Sequence, residues 1–144
     1  MYQAWWPCGF INLKAASYSA SFLTIQTISK VFPNFFPTPG KRPVESYRRD
    51  WSFNSNDNFF AAIDTYNDQT NGFAFGVNAV GGQWDGMQAG GGIVNLEWDG
   101  KWHSAVQNYK DRWTAEFKIP FRTIRYEEGV SEWGINFSRL DLKT

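Results

Sequence analysis

The sequence predicts an all-β fold, and within that class a β-sandwich. From Asp57 onward, short runs in which apolar and polar residues alternate are separated by Asn, Asp and Gly, the pattern of strands joined by turns. Aromatic residues make up 19% of the 144 residues, which suits packed sheet faces. About five such runs without a helical periodicity favour two packed sheets.

The first predicted hairpin covers residues 58–79. Asn58–Asp64 is a largely apolar run, which suits a strand buried on both faces. Residues 65–72 are rich in Asn, Asp and Gly and are predicted to form the connecting loop. The returning strand has a predicted core face made of alternate residues: Phe73, Phe75, Val77 and Ala79.

The segment Val80–Gly92 is predicted to be a mobile loop. It holds six glycines around Trp84 and Asp85, and glycine at that density opposes both a helix and a continuous strand. A phosphate-binding glycine loop would need a helix after it, and no helical pattern follows. Phosphate binding is therefore not expected here.

A second hairpin and a last strand complete the predicted sheets. The hairpin begins at Trp102 and ends at Pro120, because proline has no backbone donor for the ladder. Residues 121–126 are a candidate for a single helical turn or a short edge strand, and the last strand runs over residues 133–138. Because the sequence stops six residues after this strand, a sheet edge is expected to be left unpaired. Three tryptophans on the apolar faces are predicted core residues: Trp102, Trp113 and Trp133.

Residues 1–44 differ in composition from the rest of the chain. They carry four basic residues and no acidic residue, whereas residues 45–144 carry ten basic and 14 acidic residues, so the net charge of zero is a cancellation. Four of the six prolines also lie within residues 33–43. We therefore predict an irregular, Pro-rich segment at 1–44, with the hypothesis that it is out-of-frame or non-native sequence, and an incomplete β-sandwich at 45–144.

Charge and composition argue against several functional classes. The zero net charge provides no basic surface for nucleic acid, and no run of about 18 apolar residues predicts a transmembrane helix. A single cysteine, Cys8, rules out a disulfide framework. A basic n-region, a compact apolar core and a cleavage site do not occur together, so no signal peptide is expected in this chain.

The sequence favours a non-catalytic domain. The single histidine, His103, occupies an ordinary polar-face position of a predicted strand, and Cys8 lies outside any motif. Paired carboxylates could serve glycoside hydrolysis, but no pair stands out. Calcium is a weaker candidate cofactor at the oxygen-rich loop 64–71, which lacks the twelve-residue calcium-loop spacing and is better explained as an Asx-rich turn.

Trp84 and Trp98 are the candidate ligand contacts. Both occur in Gly- and Asp-rich sequence rather than on a predicted core face. An indole ring can stack on the C–H face of a sugar while planar polar groups bind its hydroxyls. The predicted carbohydrate-binding residues are Trp84, Trp98, Asp85, Asn78 and Gln83; the alternative is that each tryptophan covers an end of the sandwich.

Several short motifs spread over residues 48–139 carry a family resemblance. They are Arg49-Asp50, Ser55-Asn56-Asp57, Asp64-Thr65-Tyr66-Asn67-Asp68, Phe73-x-Phe75-x-Val77-Asn78, Gln83-x-Asp85-Gly86, Trp98-x-x-x-Trp102, Trp113-Thr114-Ala115-Glu116-x-x-Ile119-Pro120-Phe121, Arg125-Tyr126 and Trp133-Gly134-Ile135-Asn136-Phe137-x-Arg139. With this spacing the chain resembles the carbohydrate-binding module family 9-like domain of large bacterial surface proteins. The resemblance covers about two thirds of the chain.

The resemblance implies an immunoglobulin-like sandwich, a non-catalytic carbohydrate-binding role and a location in the periplasm, outer membrane or cell surface of a Gram-negative bacterium. It departs from the family in residues 1–47, where the earlier strands are not recognisable, and after Thr144, where later strands and a barrel-like region would follow. The alternative function is a structural or protein-docking sandwich attached to an outer-membrane barrel. A region of a glycoside hydrolase is a further alternative.

Overall fold

The computed structural model describes residues 13–14, 22–25, 44–91, 93–110, 113–130 and 132–142. These residues form an all-β, sandwich-like fold of two antiparallel sheets, which confirms the predicted fold class. The strands are β1 (Leu13–Lys14), β2 (Phe22–Ile25), β3 (Asn58–Asp64), β4 (Gly72–Asn78), β5 (Gln83–Ala89), β6 (Ile93–Asn95), β7 (His103–Asn108), β8 (Trp113–Pro120) and β9 (Glu132–Leu140). Short 3-10 turns lie at Phe53–Ser55 and Phe121–Thr123.

The sheets differ in width. One has six strands in the order β1-β9-β3-β4-β5-β6, and the other has three in the order β2-β8-β7. Both predicted hairpins are present, as β3–β4 and β7–β8. β9 lies between β3 and β1, so the last strand is itself an inner strand of the six-stranded sheet. This position results from the pairing of β9 with β3, whose facing residues are 70 to 82 positions apart along the chain.

The segment 1–44 contributes two short strands to the sheets. Leu13 and Lys14 pair with β9, and Phe22–Ile25 pairs with β8. Val44 packs against the core at the end of this segment. The Pro-rich stretch 32–43 and Cys8 lie outside the described residues, so the prediction of an irregular segment stays a prediction there.

β5 corrects the prediction that residues 80–92 form a loop. Gln83–Ala89 is a seven-residue strand that pairs with β4 and β6. Gly86 suits this strand because Val94 of the neighbouring strand β6 lies close to it. A Cβ atom at Gly86 would lie 2.4 Å from Val94 Cγ1. The glycines that do form turns stand outside the strand, where Gly81 and Gly90 have φ values of 91° and 62°.

Side chains of the large sheet alternate between an inner face, which packs on the small sheet, and an outer face. Phe75 of β4 and Asp85 of β5 are directly opposite on the inner face, and Gly76 and Trp84 are opposite on the outer face. The core between the sheets contains the predicted Trp102, Trp113 and Trp133. A second apolar cluster on the outer face contains Trp51, Phe60, Ala62, Ala74 and Trp84.

Candidate functional site

The polar cluster around Arg49 is the candidate functional site. It joins the segment before β3, the start of β5 and the loop between β6 and β7. We call it the Arg49 cluster; its members are Arg49, Asp50, Gln83, Asp85, Asp99 and Gly100. It lies beside β7, because Gln83 Nε2 donates a hydrogen bond to Ser104 Oγ at 3.0 Å.

Arg49 connects all three parts of the cluster. Its Nη1 donates to Gln83 Oε1 at 3.0 Å, and its Nε donates to Asp99 Oδ1 at 3.0 Å. Its Nη2 donates to the Gly100 carbonyl at 3.0 Å and also pairs with Asp85 Oδ1. This fork geometry suits a guanidinium, whose donors point in fixed directions. Arg49 therefore holds strand and loop groups in one arrangement.

Asp85 is the buried anchor of the cluster. Its side chain has no exposed surface, and its Oδ2 accepts the backbone N–H of Gly100 at 2.6 Å. Burial raises the pKa of Asp85, although the Gly100 N–H and Arg49 oppose the shift. Asp85 thus fixes the loop that carries Asp99 onto the sheet.

Two carboxylates of the cluster reach solvent. The Asp99 side chain is 74% exposed, and the Asp50 side chain is 37% exposed with Oδ2 at 4.0 Å from Arg49 Nε. Burial raises the pKa of Asp50, and Arg49 opposes the shift. Asp50 has a φ of 57°, a left-handed conformation that Asp tolerates better than most residues. The cluster therefore presents at the surface two carboxylates that both contact Arg49.

Trp84 and Trp98 are not brought together. Trp84 is 4% exposed on the outer face, packed on Trp51, Phe53 and Phe60. Trp98 is half-buried and packs its ring on Phe73 and Phe75 of the inner face, with centroid distances of 5.0 and 5.9 Å. Because the sheet separates the two rings, they cannot clamp one sugar between them.

The other predicted contacts are divided between the site and the scaffold. Gln83 and Asp85 meet in the Arg49 cluster. Asn78 is fully buried; its Nδ2 donates to the Ser46 carbonyl at 2.7 Å and its Oδ1 accepts the Gly82 N–H at 2.8 Å. Asn78 therefore shapes the β4–β5 turn instead of facing a ligand.

Sequence reasoning missed Arg49 and Asp99 as site residues. Their contacts span 34 to 51 positions along the chain, which no local pattern reveals. One signal was present: Arg49-Asp50, Gln83-x-Asp85 and Trp98 all belong to the motifs of the family resemblance. Gly100 lies within the Trp98-x-x-x-Trp102 motif, and a Cβ atom at this position would lie only 2.7 Å from Trp98 Cη2.

In the oxygen-rich loop 64–71, the carboxylates accept hydrogen bonds from the backbone N–H groups of the loop itself. Asp64 accepts N–H groups from Tyr66, Asp68 and Gln69 at 2.8–3.3 Å. Although burial opposes the shift, hydrogen bonds from Asn71 and Thr70 lower the pKa of Asp68 to about 2. This is an Asx-rich turn, and across the described ranges no group of three or more His, Cys, Asp or Glu is placed to hold a metal ion.

Replacing Asp64 with Ala is expected to destabilise the fold by about 1–3 kcal/mol, because three backbone donors lose a buried acceptor. Urea denaturation followed by tryptophan fluorescence measures the loss. The control is Glu116→Ala, which removes an exposed carboxylate from β8 and should change the unfolding free energy by less than about 0.5 kcal/mol. Equal effects of the two substitutions would contradict the assigned role of Asp64.

Fold and site together define a β-sandwich domain with a polar cluster on one side. Comparison with protein-family models, with curated proteins and with solved structures finds no match. The resemblance to the carbohydrate-binding family 9-like domain therefore stays a prediction. Among the residues described, none belongs to a helix that is long and apolar enough to span a bilayer.

Proposed function

We propose that the β-sandwich is a non-catalytic carbohydrate-binding domain of the bacterial cell envelope, and that its ligand surface is the Arg49 cluster with Tyr47. One observation carries the proposal: Gln83 and Asp85 of the predicted contacts meet Arg49 beside the exposed carboxylates of Asp50 and Asp99. The sequence resemblance supplies the ligand class and the envelope location.

The exposed groups of this surface match the chemistry of a neutral sugar. Carboxylate oxygens accept hydrogen bonds from hydroxyl groups, and Asp99 is already fixed in direction by Arg49. A site that is fixed before the ligand arrives loses less entropy on binding. Tyr47, two residues before Arg49, is 79% exposed and offers a flat ring for stacking.

Isothermal titration with a panel of soluble neutral glycans tests the proposal. We expect at least one glycan to bind, and Asp99→Asn and Tyr47→Ala each to weaken it about tenfold, since each removes roughly 1.4 kcal/mol of contact energy. Matched controls are Glu116→Gln and Tyr126→Ala, which change an exposed carboxylate and an exposed tyrosine outside the Arg49 cluster. Absence of heat with every glycan, or equal losses in the controls, would overturn the proposal.

A further inference from the structure

Asn71-Gly72, where the oxygen-rich loop 64–71 ends and β4 begins, is a chemically labile dipeptide. The side-chain amide of asparagine can be attacked by the backbone nitrogen of the next residue. Glycine hinders that attack least, because it has no side chain and its backbone is the most flexible. Asn71 is half-buried and follows the exposed residues 67–70, so water reaches this position.

The fold uses both residues of this dipeptide. A Cβ atom at Gly72 would lie 2.5 Å from the Ile63 carbonyl oxygen of β3, so a residue with a side chain does not fit there. Asn71 Nδ2 donates hydrogen bonds to Asp68 Oδ2 at 2.6 Å and to Thr70 Oγ1 at 3.1 Å. The labile dipeptide is therefore a consequence of how the β3–β4 hairpin closes.

The closed loop holds both reacting groups in other contacts. The Asn71 side-chain amide is directed at Asp68, whose Oδ1 also accepts the Asn71 N–H at 2.8 Å. Alternate residues of an antiparallel strand point their N–H groups at the same neighbouring strand. Because the Asn78 N–H donates to the Gly82 carbonyl on the β5 side, the Gly72 N–H points to β5 as well. Attack on Asn71 therefore requires local opening of the loop and of the first residues of β4.

We propose that Asn71 is a site of spontaneous deamidation, which begins when loop 64–71 opens and which prevents the loop from closing as before. In the open loop the Gly72 nitrogen attacks Asn71 Cγ, an intramolecular reaction between adjacent residues. A C–N bond forms, the Cγ–Nδ2 bond breaks, and the leaving amino group takes the proton of the Gly72 N–H and departs as ammonia. Water then opens the succinimide ring to aspartate or isoaspartate, so no other reactant is needed.

The product does not restore the closed loop. A carboxylate at residue 71 has no N–H to donate to Asp68 Oδ2, which the Asn71 amide contacts at 2.6 Å. Although burial opposes the shift, hydrogen bonds from Asn71 and Thr70 lower the pKa of Asp68 to about 2, so Asp68 is ionised at neutral pH. Two carboxylates would then repel each other at this position. Isoaspartate would in addition lengthen the backbone, which displaces the first residues of β4.

Mass spectrometry with fragment-ion assignment, applied to the folded full chain after incubation in mildly alkaline buffer, tests the reaction, since deamidation adds about one dalton. We expect the gain at Asn71 and not at Asn95, which is exposed but is followed by Leu96. Asp68→Ala should speed the gain at least about threefold, because it removes the acceptor that holds the Asn71 amide. Glu116→Ala, which removes an exposed carboxylate from β8, should leave the rate unchanged. No gain at Asn71 in either the parent chain or Asp68→Ala, or equal rates in Asp68→Ala and Glu116→Ala, would overturn the proposal.

Amide hydrogen exchange in Asn71→Asp, which has the side chain of one product, tests whether the loop closes again. The Gly91 N–H donates to the Thr70 carbonyl at 2.9 Å, so its exchange rate reports on loop closure. We expect the Gly91 amide to exchange at least about threefold faster in Asn71→Asp than in the parent chain. Asn95→Asp adds the same charge outside the loop and should leave this rate unchanged. Equal Gly91 exchange in the parent chain and Asn71→Asp would overturn the claim that deamidation keeps the loop open.

Discussion

Replacing Trp84 with Ala is expected to lower the free energy of unfolding by about 3–5 kcal/mol. Trp84 is 4% exposed, and its ring lies 5.8–6.5 Å from the rings of Phe60, Phe53 and Trp51. Removing the indole would leave a cavity between the sheet and the segment that carries Trp51 and Phe53. The segment also depends on the Trp51 Nε1–Gly82 carbonyl hydrogen bond, 2.9 Å long, at the start of β5.

Urea denaturation measures this loss, and two further variants separate packing from ligand binding. Trp84→Phe keeps most of the apolar volume and should lose less than Trp84→Ala. Tyr47→Ala, at an exposed position, should change stability by less than about 0.5 kcal/mol. If folded Trp84→Phe lost glycan binding while Tyr47→Ala kept it, Trp84 would be a ligand contact and the assignment of the binding surface would be wrong.

Strand alternation predicted much of the fold because its signal is local. The run Asn58–Asp64 is buried at every position, as expected for a strand covered on both faces. Phe73, Phe75 and Val77 face the core, as their period of two predicts. His103 is exposed on β7, in agreement with its predicted polar-face position.

The sequence did not predict β5, because glycine content alone does not distinguish a turn from a strand that lies close to its neighbour. The same residue type serves a positive-φ turn at Gly81 and a close approach of Val94 at Gly86. Once β5 is a strand, the period of two puts Trp84 and Asp85 on opposite faces. A loop would have allowed both to face one ligand, so the error in the element led directly to the error in grouping the site residues.

The Arg49 cluster could be predicted only in part. Gln83 and Asp85 share one face of β5, which sequence periodicity would have given had the strand been recognised. Arg49 and Asp99 reach them across the fold from segments without regular structure, and such contacts follow from tertiary packing rather than local pattern. The structure also gives the cluster a second role, because it fastens the loop before β7 to β5 and so closes one side of the sandwich.

Asp85 contacts both Arg49 and the loop before β7, which makes it the most informative single position of the Arg49 cluster. Asp85 holds Gly100 and Arg49, and Gln83 of the same strand holds Ser104 of β7. Weakening Asp85 should therefore loosen the proposed sugar surface.

Asp85→Ala is expected to destabilise the fold by about 3–5 kcal/mol, whereas Asp85→Asn should cost much less at pH 7. Alanine leaves the buried N–H of Gly100 without its acceptor, removes one of the four acceptors of the Arg49 guanidinium and opens a cavity at a fully buried position. Asparagine keeps an oxygen for Gly100 and resembles the protonated acid, the form that burial favours by raising the pKa of Asp85.

The pH dependence gives the sharper test. A raised pKa means that the folded protein binds more protons than the unfolded chain above the ordinary aspartate value of 3.8, so the stabilising contribution is complete below that value and is lost as the pH rises through the folded pKa. Urea denaturation from pH 4 to 7 should show this decline in the parent chain and a shallower one in Asp85→Asn. A remaining decline is expected, because burial also raises the pKa values of Asp50 and Asp57. The pKa of Asp68, about 2, lies below this pH window, and its contribution to stability is lost as the pH falls toward that value. If Asp85→Asn lost as much stability as Asp85→Ala and left the decline unchanged, the Arg49 ion pair would outweigh the effect of burial on Asp85.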